Sequence, residues 1–308
     1  MIKGFCILIL VLGLGLSMRA VSAPCCGGSA NNPSFLTGDD RFQVTSAFAL
    51  NSVLAEAPVG GGLKARSEND SEQSQVFRMD VASLVSDRSQ LSVTVPVIHR
   101  QRSRGLNEAS GTGFGDLTVS ASYEVLPDWN YHPWRPKGFL FVGGVIPSGG
   151  SVYESSELYA IDARGRGFWG ASLGAFFLKS WSSWDVSLLM ELHRFFNKEK
   201  TTELGILKIS PGWGSQQMLS LGWSPGGGAV RLGVSVARNS ESAVATSGVM
   251  EGVGAPTVLW TPSFQLGYLV SPDLSLGLFI SDQTLFKSSE NTALARSVGF
   301  VMQKRWER

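Results

Sequence analysis

Beyond residue 40, apolar and small polar residues alternate in short segments separated by Gly, Pro, Ser and Asp. The segment 295–306 shows the pattern best. Val298, Phe300, Met302 and Trp306 fall on one face of an extended strand. Ser297, Gly299, Gln303 and Arg305 fall on the other, because successive strand side chains point to opposite sides. Val301 and Lys304 interrupt the alternation. Further apolar faces run through Leu91, Val93, Val95 and Val97, through Leu117, Val119, Ala121, Tyr123 and Val125, and through Trp184, Val186, Leu188, Met190 and Leu192. Two more run through Val230, Leu232, Val234 and Val236, and through Leu274, Leu276, Leu278 and Ile280. The opposite faces carry Thr94, Ser120, Glu124, Asp185, Ser187, Glu191, His193, Arg231, Ser235, Ser275 and Ser281. Ionisable groups are tolerable there only if that face looks onto water. A large apolar face opposite a small polar one, repeated along the chain, predicts an all-β fold, an antiparallel transmembrane β-barrel. A soluble chain would need a second layer over its strands, and no amphipathic helix offers one.

Thirteen segments carry the strand pattern: 41–50, 75–86, 90–100, 116–126, 138–146, 167–178, 184–196, 204–212, 217–224, 229–238, 257–270, 274–281 and 293–306. Most approach the ~9–11 residues that a tilted strand needs to cross a membrane. Over the first half the connections alternate between long and short, as long outer loops and tight periplasmic turns would. Thirteen is odd, whereas a bacterial barrel with both ends in the periplasm has an even number. A weak strand at 242–251 would give fourteen, and losing one segment between Trp184 and Val258 would give twelve. The pattern does not decide between them. Trp169, Trp184, Trp223, Trp260 and Trp306 sit near segment ends, and Trp129, Tyr131 and Trp134 in a turn, as interfacial aromatic girdles require.

The N-terminus reads as an export signal. Lys3 precedes an apolar run at 5–16, too short to span a bilayer, and small residues follow at Ala20, Ser22 and Ala23. Cleavage after Ser22 divides the chain into a signal at 1–22, a flexible Gly/Ser/Asn/Pro-rich periplasmic leader at 23–40, and a barrel at 41–308. Removing Lys3 and Arg19 with the signal leaves 24 basic residues against 25 acidic ones. Such a balance gives no electrostatic case for nucleic acid. The expected location is the bacterial outer membrane, with its lipids and lipopolysaccharide as surroundings. Oligomeric state is left open.

Cysteine chemistry is sparse. Cys6 leaves with the signal, and the adjacent Cys25 and Cys26 rarely bridge one another in such an arrangement because the geometry is strained. Ser22-Ala23-Pro24 does not match a lipoprotein signal. No His or acidic residue stands near the two thiols, and two thiolates leave a zinc tetrahedron half empty. No metal or cofactor is expected.

Three stretches resemble the outer-membrane family named for the MetA pathway of phenol degradation. They are Gly113-Phe114-Gly115-Asp116-Leu117, the run 139–149 ending in Pro147-Ser148-Gly149, and the tail from Thr261-Pro262-Ser263 through Ser271-Pro272-Asp273 to Trp306. The resemblance covers most of the chain after residue 41. It departs in the Cys25-Cys26 leader, in the terminal Arg308, and in Ser148, where the family often has Thr. It implies uptake of hydrophobic or aromatic compounds and supplies no catalytic or ligand residues.

Candidate chemistry is thin. Gly170-Ala171-Ser172-Leu173-Gly174 matches the serine-hydrolase elbow, but that elbow needs a strand–turn–helix, and strand alternation runs straight through it. The three histidines His99, His132 and His193 have no Ser two residues on. Arg100, Arg102 and Arg104 suit an outer loop that contacts lipopolysaccharide phosphates or an anionic solute, or one that is simply solvated. The candidate lumen-lining residues are Glu124, Asp185, Glu191, His193 and Arg231. The expectation is a non-enzymatic channel that passes small solutes, hydrophobic or aromatic by the resemblance, by passive or facilitated diffusion. The alternatives are a non-transporting surface or assembly scaffold and, behind it, a lipid-modifying enzyme.

Overall fold

A computed structural model describes residues 34–37, 40–128, 132–202, 205–227, 229–249 and 251–307. The proposed signal, Cys25 and Cys26, Trp129 and Tyr131 lie outside them. Twelve strands form the wall. They are β1 (Asp40–Ala57), β3 (Asp70–Leu84), β4 (Ser89–Arg104), β6 (Leu117–Leu126), β7 (Lys137–Ile146), β8 (Gly170–Ser180), β9 (Trp184–Phe195), β12 (Trp213–Trp223), β13 (Val230–Glu241), β16 (Thr257–Ser271), β17 (Leu274–Asp282) and β18 (Thr292–Glu307). Each pairs antiparallel with the next, and β18 returns to β1 from Asp40↔Glu307 to Ala57↔Thr292. Closure satisfies the backbone groups of both terminal strands, which lipid would otherwise leave without partners.

Among the described residues, six shorter strands lie off this path. β2 (Lys64–Ala65) pairs with the far end of β1. β5 (Asn107–Phe114) pairs with the far half of β4, and β6 takes over the near half, with Gly115 and Asp116 between them. β10 (Lys198–Thr202), β11 (Gly205–Ser210), β14 (Ala245–Gly248) and β15 (Gly252–Val253) form a separate four-stranded sheet.

That sheet resolves the parity conflict. The surplus segment 204–212 holds β11 and the weak candidate 242–251 holds β14. These two strands pair with each other, Leu207↔Gly248 to Ser210↔Ala245, outside the wall. β11 has only six residues, too few to cross. Its alternate side chains Leu207 and Ile209 are buried against Phe168 and Phe195. Twelve is therefore the wall's number.

The two faces of the wall follow the alternation. Leu91, Val93, Val119, Leu173, Met190, Leu192, Val234, Leu278, Ile280, Val298, Phe300 and Met302 are exposed. Thr94, Ser120, Glu124, Asp185, Ser187, Arg231, Ser235, Ser275 and Ser281 are buried on the inner face. In β18, Val301 falls on the inner side, while Lys304 falls on the outer side and pairs with Asp273 in the adjoining turn. Trp184, Trp223 and Trp306 are exposed toward the end that holds Asp40 and Glu307, and Trp169 and Trp213 toward the other. Among the described residues no helix is long and apolar enough to cross a membrane.

Candidate functional site: the barrel lumen

The five sequence-predicted residues lie on the inner face but do not form one site. Asp185 and His193 stand eight positions apart on β9, about 26 Å along an extended strand. At the near end, Asp185 is 1% exposed and receives two hydrogen bonds from Arg231, Nε to Oδ2 at 2.8 Å and Nη2 to Oδ1 at 2.5 Å. β12 runs between their two strands. Gly222 faces Asp185 on one side and Gly233 on the other, and a Cβ on Gly222 would stand 2.3 Å from both Arg231 Nη2 and Asp185 Oδ2. The ion pair therefore lies over a strand that has no side chain beneath it.

The same device recurs at the far end. His193 Nε2 lies 2.9 Å from Glu241 Oε1, and His193 Nδ1 lies 3.4 Å from Glu191 Oε1. Gly214 of β12 sits between His193 and Glu241 in register, where a Cβ would stand 2.1 Å from the imidazole. Arg166 adds a 2.6 Å contact to Glu241. Ser172 is the register partner of His193, which puts a serine, a histidine and two carboxylates in one neighbourhood. Both ring nitrogens nevertheless face carboxylates. The Ser172 hydroxyl lies over Gly143, at 2.4 Å from the position a Cβ there would take. Ser172 also lies within the uninterrupted β8, without the strand–turn–helix of a hydrolase elbow.

Glu124 stands apart, 3.3 Å from Lys137 Nζ. Other inner charges are matched too: Asp80 by Arg78 at 2.9 Å and Asp40 by Arg305 at 3.7 Å. Each of these named inner charges thus has an opposite charge beside it.

Sequence reasoning missed an apolar patch on the same inner face. Phe139, Phe141, Phe176, Leu178, Leu189, Met218 and Ala237 are all buried and form one cluster. The signal was available. Phe139-Leu140-Phe141-Val142 and Ala175-Phe176-Phe177-Leu178 are apolar on both strand faces, which a polar lumen does not require. Leu140 and Val142 account for the outer face, so Phe139 and Phe141 needed an inner partner.

That partner is the segment 34–37. Phe35 is 5% exposed and belongs to the cluster. Leu36 N donates to Gln90 Oε1 at 2.7 Å, Gln43 Nε2 to Ser34 Oγ at 3.2 Å, and Lys137 Nζ to Thr37 O at 2.8 Å. Lys137 therefore ties the segment to Glu124.

The connection from 147 to 169 turns back onto the inner face from the other end. The Asp116 carboxylate accepts backbone N–H bonds from Gly149 at 3.1 Å, Arg166 at 2.6 Å and Gly167 at 3.2 Å. A Cβ on Gly165 would stand 2.3 Å from Asp116 Oδ1, so the clasp needs glycine there. Arg100 donates to the carbonyls of Ala160 and Ala163, and Ile161 is buried. The Gly113–Asp116 and Pro147–Gly149 motifs meet in this clasp. Arg100 and Arg102 also pair with Glu72, at 2.6 and 3.8 Å, so these two guanidiniums are committed within the chain. Arg104 is exposed.

No family model matches the chain, and no curated protein matches it by sequence. Solved structures do. An outer-membrane channel from Pseudomonas putida F1 superposes with a TM-score of 0.68 at 12% identity, covering 91% of this chain and 100% of that one. The β domain of the Bordetella autotransporter BrkA gives 0.49 at 10% identity, covering 87% and 100%. The CymD monoaromatic hydrocarbon channel gives 0.45 at 8% identity, covering 87% and 89%.

The protein is a bacterial outer-membrane β-barrel. Among the described residues of this barrel the outer face is apolar, and the inner face combines paired charges with an aromatic patch.

Proposed function

We propose that the barrel is a passive or facilitated route for small hydrophobic solutes, aromatic ones among them. The observation that carries this reading is the buried aromatic patch of Phe139, Phe141 and Phe176 on the inner wall. An aqueous pore for ions or sugars gains nothing from such a surface, whereas an apolar solute gains a place to leave water. The lumen charges support the reading because opposed pairs leave no long stretch of one sign to select ions. We assign Glu124, Asp185, Glu191, His193 and Arg231 to lining and bracing this lumen, with no catalytic role. The fold shared with the Pseudomonas putida channel supports the channel part of this reading, and the sequence resemblance to the phenol-degradation family supports the solute class. Outer-membrane lipids and lipopolysaccharide surround the wall, and export by a signal at 1–22 belongs to this account.

A second reading has its own support. Phe35 from one end and the 147–169 connection from the other both occupy the inner face, as they would in a non-transporting scaffold. Proteoliposome permeability separates the two. The channel reading expects faster entry of an aromatic hydrocarbon than of a sugar of similar size. Absence of entry for every solute tried would favour the scaffold.

A further inference from the structure

The Phe35 ring is held as a bound ligand would be held. It lies parallel to Phe176 with centroids 4.5 Å apart and planes 7° apart. Phe139 meets it tilted at 5.6 Å, and Phe141 meets it edge-on at 5.6 Å. Stacked and edge-to-face arrangements are the two that an aromatic quadrupole favours. The wall is shaped to make this box. A Cβ on Gly174 would stand 2.3 Å from Phe141 Cζ, so only glycine leaves room for the tip of that ring over β8. Leu189 and Met218 complete the apolar cluster.

The ring comes from a segment outside the wall. Its polar ties are the few contacts to Gln90, Gln43 and Lys137, and strand β1 begins five residues later, at Asp40. The Gln90 side chain is 2% exposed, and its Nε2 has no hydrogen-bond partner among the described residues. The segment therefore does not use all that the site offers.

We propose that the box formed by Phe139, Phe141, Phe176, Leu189 and Met218 is the binding site for a flat aromatic ring of the solute. Phe35 is its tethered stand-in, which an entering ring displaces. The inference rests on the transport reading and names its substrate class. A short tether holds Phe35 at an effective concentration on the order of millimolar. It lowers the apparent affinity for any free ring by the fraction of time the box is filled. Removing the Phe35 ring should therefore open the box to free aromatic molecules without changing the wall.

The test is photolabelling of the full-length barrel in proteoliposomes with a phenyl trifluoromethyl diazirine, mapped by mass spectrometry. In F35A, labelling of Phe176, Leu189 and Met218 should rise on the order of fivefold relative to lipid-facing Leu173 and Leu192. Gln90→Ala loosens the segment without touching a ring and should raise the same labels. F35W should keep them low. Toluene should suppress the inner labels about threefold better than methylcyclohexane at equal membrane concentration. Heat-modifiable gel migration verifies that each barrel is folded. Inner labels unchanged in both F35A and Gln90→Ala, or equal suppression by the two hydrocarbons, would overturn the site. Labels that follow the prediction while no solute crosses would keep the ring site and sink the transport reading. Transport with unchanged labels would do the reverse.

Discussion

Arg231 reaches Asp185 across an intervening strand, over the bare backbone of Gly222. Three consecutive wall strands, β9, β12 and β13, are joined by this one contact in addition to their ladders. Arg231→Met would leave the Asp185 carboxylate buried with its main partner gone. The expected loss is about 3–5 kcal/mol. The double replacement Asp185→Leu with Arg231→Met should recover most of it, because the uncompensated charge goes too. Gly222→Val should cost about 1–3 kcal/mol by overpacking. Urea unfolding in detergent micelles, followed by tryptophan fluorescence, reads all three. Single and double replacements of equal stability would show that the pair does not brace the wall.

Asp116 holds the 147–169 connection through three backbone N–H groups. Asp116→Ala leaves those donors without their acceptor, at about 1–3 kcal/mol for the buried ones. The wall ladders do not depend on them. The variant should insert and keep its heat-modifiable migration, while a protease added outside cuts the connection near 151–158 faster. An unchanged cleavage rate would mean that other contacts hold this segment.

Within the same connection, the Ser155 hydroxyl donates to Asp162 and holds its carboxyl below the usual 3.8. A lowered carboxylate pKa contributes stability above the usual value, and that contribution fades as pH falls through the lowered one. Protection from proteolysis should therefore be constant from neutral pH to about 4 and decline below it. An acid-active protease is the probe. Ser155→Ala should lower the protection at neutral pH and flatten the decline below about 4. Identical profiles for the two proteins would remove Asp162 from the account.

The four-stranded sheet shows where the sequence was legible and where it was not. Alternation identifies β11 as a strand but does not say what it pairs with. Its length and the partner β14 decide that, and pairing between distant segments leaves no local trace. The wall strands were legible because an apolar outer face and a polar inner face impose a period of two, as in Val298, Phe300 and Met302. The charged residues of the inner face stood out because Asp185 or Arg231 cannot face lipid. Their pairing did not, since it depends on glycines of a third strand. Phe139 and Phe141 passed unnoticed because apolar residues on both faces look like excess hydrophobicity until Phe35 is in place. If this account of the four-stranded sheet is right, Ile209→Asp should disorder the sheet, whose Ile209 is 1% exposed, and leave twelve wall strands intact. Hydrogen exchange would show it, with protection lost at 198–210 and 245–253 alone. Loss of protection throughout β9 and β12 as well would make the sheet part of the wall's stability.

The most direct test of the central claim is the passage of an aromatic hydrocarbon through vesicles whose outer leaflet is lipopolysaccharide, the layer that slows apolar solutes. Transfer of naphthalene to an acceptor trapped inside is followed by fluorescence, with and without the barrel. The account predicts a rate that rises in proportion to the barrel present, rises further in F35A, and far exceeds the rate for a sugar of similar size. A naphthalene rate that is the same in barrel-free and barrel-containing vesicles would contradict it.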